Sequence, residues 1–311
     1  MLRYLCTRAL VTSSVRLSLK MKSVLYWSLI YCLCGIFASF AVLELCWNLI
    51  IRPTKTLHWR IRESPPACLN DPSLGTHCYV RVKLREFRSE YRVVAMDMRG
   101  YGESDAPKSI SSYRWDLLMQ DVKDMVESLG YNRCLLVAHD WGGLLAWLFS
   151  IHYPEMVTKL IVLNCPHPSA FTARPQPQAA APALRKVFTS RRTGVRSKSG
   201  QMTKEDLEAY LYNFSQPGAL IGPINYYRNI FSSLTLRETE VKSPVLLLWG
   251  EKDAFLGQEM AEMSRPYAKA GFRLHLISGA SHWLQQDQPD IVNTLIWTFL
   301  KEGEGSRSYR T

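Results

Sequence analysis

Cys134-Leu-Leu-Val-Ala-His139-Asp140-Trp141-Gly142-Gly143-Leu-Leu-Ala-Trp147 is the stretch on which the reading of this chain turns. Cys134 to Ala138 is a short apolar run, which predicts a strand buried on both faces. Leu144 to Ile151 continues as an apolar-rich helix. Between them stand His139, Asp140, Trp141 and Gly142, with small residues (Ala138, Gly142, Gly143) where strand and helix must approach closely. A small-x-nucleophile-x-small turn holds its central residue in a strained, exposed position above a sheet. Here that residue is Asp140, where Ser is usual. A carboxylate nucleophile makes an ester by attacking an sp3 carbon that bears a leaving group, and hydrolysing the ester needs a base to activate water. The electrophile is then a strained ring or a carbon–halogen bond rather than an amide. The plainer alternative is an Asp that only caps the following helix.

Working outward, 311 residues at 47% hydrophobic composition suffice for one substantial core with an inserted subdomain. The net charge of +11 comes from scattered Lys and Arg, crowded in the amino-terminal flank, Arg185 to Lys198 and the last residues. No zinc-finger, RNP or heptad pattern accompanies them, so an anionic membrane surface fits better than nucleic acid. None of the eight cysteines forms a C-x-x-C pair, which argues against a zinc site or a disulfide framework. Cys68 and Cys78 could pair in an oxidising lumen, but two free thiols are the preferred reading.

Ser23 to Leu43 is uncharged, apolar and aromatic over 21 residues, beyond the ~18 that a membrane-crossing helix needs. Arg3, Arg8, Arg16, Lys20 and Lys22 precede it, while Arg52, Lys55, Arg60 and Arg62 follow. The run is too long for a cleaved signal and reads as an uncleaved signal anchor. The slight basic excess before it favours a cytoplasmic amino terminus and a luminal domain. Pro53, Pro65, Pro66 and Pro72 mark a linker. His77 to Lys83 alternates like a strand, Leu84 to Glu90 is a charged helix or turn, and Tyr91 to Met96 reads as a buried strand running into the Gly-rich turn Asp97 to Pro107. Trp115 to Leu129 is an amphipathic helix ended by Gly130. Lys159 to Asn164, Pro244 to Trp249 and Phe272 to Ser278 are further strands, and Pro289 to Leu300 is the closing helix. The alternation breaks between Pro166 and Ser243, which reads as an inserted cap with a helix over Leu207 to Phe214, capped by Thr203 and Asp206. Asn213-Phe-Ser215 is a glycosylation sequon.

Asp140, Asp253 and His282 each fall just past the carboxyl end of a predicted strand, the edge at which open α/β sheets bind ligands. The chain order nucleophile, acid, His fits a relay in which Asp253 orients His282 and His282 takes a proton from water. His139-Asp-Trp-Gly-Gly143, Asp97-x-Arg-Gly-Tyr-Gly-x-Ser-x-x-Pro107, Gly250-Glu-x-Asp-Ala-Phe255 and Ser281-His-Trp283 together resemble epoxide hydrolases of the α/β-hydrolase fold. The amino-terminal anchor, the run from Ser64 to Tyr79 and Phe214 to Leu220 resemble the membrane-anchored members. The likeness covers nearly the whole chain. It implies a cap tyrosine that protonates the epoxide oxygen, which the match of Gly222-Pro-Ile-Asn-Tyr-Tyr-Arg-Asn229 assigns to Tyr227. It assigns Trp141 to the oxyanion or substrate contact, and implies no cofactor and no metal. The alternative for Tyr227 is an aromatic that merely packs the cap.

Two departures stand out. The family's His-Gly-x-Pro loop, which supplies an oxyanion-hole N–H, has no counterpart, for the sequence contains no His-Gly and Lys83 runs directly into Leu84. The family's second cap tyrosine is also missing, since Phe171 to Ser190 contains no Tyr. Taken together, the expectation is an α/β-hydrolase fold: a doubly wound, mostly parallel sheet, incomplete, with an inserted helical cap and an N-terminal transmembrane helix. Its expected divisions are a basic segment 1–22, a signal anchor 23–51, a linker 52–76, core 77–165, cap 166–243, core 244–302 and a tail 303–311. The expected function is conversion of small apolar, lipid-like epoxides to vicinal diols by a single-pass protein of the endoplasmic reticulum membrane in type II orientation, its bilayer partner met through the N-terminal helix. The alternatives are a haloalkane dehalogenase-like hydrolase, with Trp141 holding a halide, and a membrane-tethered splice product without activity.

Overall fold

The computed structural model describes residues 84–172, 204–229 and 238–302, together with Ser28, Ser39, Leu43 and Trp47. The chain divides into two compact units, Met1–Arg60 and Ile61–Thr311. In the first, the four described residues are helical and exposed. Most of the expected anchor, the linker, the strand at His77 to Lys83, Cys68, Cys78 and Thr203 lie outside the described residues. Among the described residues no helix is long and apolar enough to cross a membrane.

Among the described residues the second unit has four parallel strands, β1 (Cys134–His139), β2 (Val157–Leu163), β3 (Val245–Gly250) and β4 (Phe272–Ile277), in the order β1-β2-β3-β4. Alternate residues of each strand point to opposite faces. Leu160 and Val162 of β2 and Val245, Leu247 and Trp249 of β3 enter one core, with the helices α2 (Trp115–Ser128) and α3 (Trp141–His152) over them. Ile161, Leu163, Leu246 and Leu248 enter the other, beneath α9 (Pro289–Lys301). Helices on both faces make the sheet doubly wound, as the βα alternation predicts. The remaining helices are α1 (Leu84–Phe87), α4 (Pro168–Thr172), α5 (Lys204–Ser215), α6 (Ile221–Asn229), α7 (Glu259–Met263) and α8 (Leu284–Asp287).

Local chemistry fixes the ends of these elements. Gly130 takes φ +83, and the Tyr131 N–H reaches the Val126 carbonyl, closing α2 with a left-handed cap. The Lys159 ammonium donates to the carbonyls of Phe299, Leu300 and Glu302 at 2.7, 2.8 and 2.7 Å. A cation thereby occupies the negative end of α9 and satisfies carbonyls that have no helical partner.

Two expectations need correction. The strand at Cys134 to Ala138 is not buried on both faces, for Val137 is 48% exposed. Tyr91 to Met96 is not a buried strand: it forms no ladder, and Val94 is exposed. Its side chains still alternate as a strand's do, with Tyr91 and Val93 against the α9 core and Met96 against the α3 core. The physical reason is pairing. Backbone hydrogen bonds define a strand, and among the described residues β1, the strand it should approach, pairs only with β2.

Candidate active site

The turn from β1 into α3 positions the nucleophile candidate. Asp140 has φ +52 and ψ −120, one of two non-glycine residues with positive φ among those described. That conformation is unfavourable for a side chain bearing a Cβ and persists where surrounding structure enforces it. Part of the enforcement is close packing. A Cβ on Gly143 would stand 2.6 Å from Cys165 Cβ, so only glycine lets α3 approach β2 here. At Gly142 the nearest atom would be Ala138 Cβ at 3.9 Å, which leaves room for a methyl. Asp140 occupies the N-cap position of α3 but makes no capping bond with its side chain. Its carboxylate is turned to His282 instead.

His282 follows β4 and joins the two carboxylates. Its Nδ1 lies 2.7 Å from Asp253 Oδ2 and its Nε2 lies 3.1 Å from Asp140 Oδ1. The other oxygen of Asp253 accepts the N–H groups of Phe255 and Leu256 at 2.8 and 3.0 Å. Asp253 is thus held rigidly and its side chain is 1% exposed, that of His282 is 7%, while that of Asp140 is 38%. The buried pair is a fixed relay, and the partly exposed carboxylate of Asp140 is the one that an entering molecule can reach. Burial alone would lower the pKa of His282, but hydrogen bonds and charges from Asp140 and Asp253 outweigh it and raise it to about 9. Burial would raise the Asp140 carboxyl, but the hydrogen bond and charge of His282, aided by the Trp141 N–H, hold it below its ordinary value.

The cap divides its two adjacent tyrosines. Tyr226 is 2% exposed and donates from its hydroxyl to the Arg99 carbonyl at 3.1 Å. Around it, Asn225 Nδ2 donates to Lys108 O, Asn229 Nδ2 to Ile110 O, and Gly222 packs so tightly on Gly100 that a Cβ would lie 2.3 Å from its carbonyl oxygen. The loop being gripped is itself braced by Arg99, bonded through both Nε and Nη2 to Asp121 at 2.9 and 2.5 Å. Tyr226 is therefore the packing tyrosine. Tyr227, the next residue, is 62% exposed, its ring edge-on to Trp141 at 4.7 Å. Trp141 also neighbours Trp115 and Tyr226, both at 6.1 Å. Asp140, Trp141, Asp253, His282 and Tyr227, the five residues expected from the sequence, are brought to one end of the sheet.

Sequence reasoning missed three neighbours. Tyr101, partly buried, packs edge-on against Tyr226 with ring centroids 5.4 Å apart, and its phenol is raised by burial and by the charges of Tyr227 and Asp140. His139 reaches the main chain of His282, and Asn164 holds the loops together. A signal for Asn164 existed, since a polar residue directly after a fully apolar strand needs a partner when buried.

Comparisons agree with this geometry. A family model described as the alpha/beta hydrolase family matches residues 71–295. Epoxide hydrolase 4 of Homo sapiens is 50% identical, covering 92% of this chain and 96% of its own. Epoxide hydrolase 3 of Xenopus tropicalis is 36% identical, over 92% and 95%. The first alignment runs over 347 positions, more than the 311 residues here, so the relative has residues where this chain has none. Among solved structures, a point mutant of an epoxide hydrolase from Bacillus megaterium superposes with a TM-score of 0.61 at 31% identity, over 71% of this chain and 88% of that one. A parallel sheet with an Asp–His–Asp relay at its carboxyl edge, and relatives this similar over this much of their length, lead to one conclusion: the chain belongs to the epoxide hydrolases of the α/β hydrolase family.

Proposed function

We propose that the protein hydrolyses epoxides to vicinal diols through an ester on Asp140. The observation that carries this reading is the contact of His282 Nε2 with Asp140 Oδ1 while Nδ1 is held by Asp253. In the first step an Asp140 oxygen attacks an epoxide carbon. The ring C–O bond breaks, its electrons pass to the ring oxygen, and the Tyr227 hydroxyl gives that oxygen a proton. In the second, water attacks the ester carbonyl carbon and yields its proton to His282 Nε2. The resulting oxyanion meets the Trp141 N–H, and its collapse breaks the bond to the alkyl oxygen, which leaves as the diol with the proton that His282 Nε2 took from water. Asp140 keeps the water-derived oxygen, whose remaining proton passes to His282, and the Tyr227 phenolate left by the first step recovers the proton that His282 sheds before the second.

The first step prepares the second. In the resting site His282 is cationic below about 9, partly because Asp140 is anionic. Esterification removes that charge and that hydrogen bond, so His282 loses a proton more readily and becomes a base when a base is required. Asp253, untouched by the reaction, keeps the ring aligned. The dehalogenase alternative is less well supported, since the relatives are epoxide hydrolases and Tyr227 offers a proton that halide departure does not need.

This reading extends to the parts outside the described residues. Residues 23–51 form the signal anchor, with 1–22 cytoplasmic, the domain luminal in the endoplasmic reticulum and the substrate an apolar, lipid-like epoxide. Divisions at 77–165, 166–243 and 244–302 give core, cap and core. The strand–loop–strand carrying the oxyanion loop is missing between Lys83 and Leu84, and the over-long alignment supports this. Glycosylation is a poor reporter of topology, because the sequon lies within α5 with Ser215 buried and its hydroxyl on the Tyr212 carbonyl. Protease digestion of sealed microsomes reports it directly: a protected domain is expected, and digestion reverses the orientation. For the chemistry, Asp140→Asn should abolish diol formation, and His282→Gln should let the ester persist. Undiminished turnover by Asp140→Asn would sink the reading.

A further inference from the structure

Asn164 stands where the three segments bearing the relay converge. It follows β2 directly, is fully buried, and has φ +44, a left-handed conformation that Asn tolerates better than most side chains. Its backbone N–H donates to Leu248 of β3 at 2.9 Å, and the carbonyl just before it, on Leu163, accepts the N–H of Asp140 at 3.3 Å. The side-chain amide uses both ends. Oδ1 accepts the Gly250 N–H at 2.7 Å, while Nδ2 donates to Ser281 O at 2.9 Å and His282 O at 2.8 Å. A backbone N–H can only donate and a carbonyl can only accept, so the orientation of the amide is fixed by its partners.

The His282 carbonyl has a second donor in His139 Nε2, at 2.8 Å. His139 is held near pKa 4 by burial and by the charge on His282, so it is neutral, and this bond requires its proton on Nε2. On the other flank Ser281 donates from N and Oγ to Asp287 Oδ2. A Cβ on Gly250 would stand 2.2 Å from Ser281 O, so the His282 loop lies directly on the start of the Asp253 turn. The backbone of His282 is thus tied to β1 through His139 and to the junction of β2 and β3 through Asn164.

We propose that Asn164 is a positioning residue for His282, acting selectively on hydrolysis of the Asp140 ester. It rests on the two-step reading above. In the first step Asp140 and the epoxide react, and His282 need only be near. In the second, His282 Nε2 must meet a water that is itself aimed at the ester carbon, so an error in ring position enters directly. A misplacement of about 1 Å costs on the order of 100-fold in such a step. Asn164 touches neither substrate nor the reacting atoms, and it works through the main chain of His282.

The test is single-turnover kinetics on the full chain with an apolar epoxide, reading ester formation by quenched mass spectrometry and its decay separately. Asn164→Asp keeps the acceptor for Gly250 and tolerates positive φ, but removes the Asn164 donor from the carbonyls of Ser281 and His282, leaving the latter with His139 alone. Asn164→Gly keeps the backbone and removes both functions, which guards against a variant that fails merely because a buried carboxyl unfolds it. In the folded variants, ester formation should stay within about 2-fold of wild type, with decay slower by about 10- to 100-fold and its pH profile displaced. Equal loss in both steps, or unchanged decay, overturns the positioning role while the ester on Asp140 still forms. Absence of any Asp140 ester in wild type overturns the two-step reading and this inference together.

Discussion

The two edges of the sheet are made of opposite material. β4 reads Phe-Arg-Leu-His-Leu-Ile, with Phe272 and Leu274 against the core, Arg273, His275 and Leu276 exposed, and Arg273 paired with Glu302. Charge and alternation are how natural sheets blunt an edge. β1 reads Cys-Leu-Leu-Val-Ala-His, an apolar run closed by His139 and of the kind found in strands covered on both sides, yet among the described residues it also lies at an edge, with Val137 48% exposed. Beyond it the segment from Tyr91 to Met98 sends side chains into both cores without pairing. One edge has the composition of an edge, the other that of an interior strand. The nucleophile candidate stands at the end of the second, and its relay at the ends of the buried β3 and of the charged edge β4.

The largest effect should come from closing that second edge. Inserting between Lys83 and Leu84 a strand–loop–strand segment from a relative, with its His-Gly-x-Pro loop, should make the protein monodisperse. It should also speed ester hydrolysis by roughly 100- to 1000-fold, the usual worth of one oxyanion donor in acyl transfer. Soluble, monomeric protein with rapid turnover and no insertion would remove the distinction between the edges.

A charge sharpens the same point at a single position. Val137→Lys in the chain as it stands should reduce self-association, read by light scattering, because it blunts an exposed apolar edge. With the segment inserted, the same substitution should destabilise by several kcal/mol, since the ammonium would then face burial without a partner. Further in, Leu247→Ala on β3, fully buried, should lower unfolding free energy by about 2–5 kcal/mol in denaturant titrations. Leu276→Ala at the β4 edge, half exposed, should cost clearly less.

Stability against pH is the subtlest comparison, because two histidines act in opposite senses. His139 is held near 4, so stability falls as pH drops from about 6.5 toward 4, where the unfolded chain binds a proton that the folded one refuses. His282 is raised to about 9, so its contribution is full below about 6.5 and is lost as pH rises through about 9. Chemical denaturation across this range should give a maximum near neutrality, and His139→Gln should flatten the acid flank alone.

Most of the fold was legible because its signals are local. Apolar runs of strand length marked β1 to β4 within a residue or two, and Gly130 marked the end of α2. Asp140, Asp253 and His282 stood out because each follows a strand in the chain order of a hydrolase. Other features depend on neighbours that no local pattern encodes. Tyr91 to Met96 has strand composition, but a ladder needs a partner. Tyr226 and Tyr227 are adjacent and chemically identical; the helix turns one onto Arg99 and the other toward Trp141. Asn164 gave only the hint of a polar residue after an apolar strand, and its three partners lie 86 to 118 residues away along the chain.

The central claim is an ester on Asp140 whose hydrolysis is the impaired half of the reaction. Intact-mass spectrometry of the wild-type chain after exposure to excess apolar epoxide, with peptide mapping, tests it most directly. The account predicts that one substrate equivalent accumulates on Asp140 while diol appears slowly, and that Asp140→Asn gains no mass. An adduct on another carboxylate, or rapid diol release with no mass gain at Asp140, would contradict it.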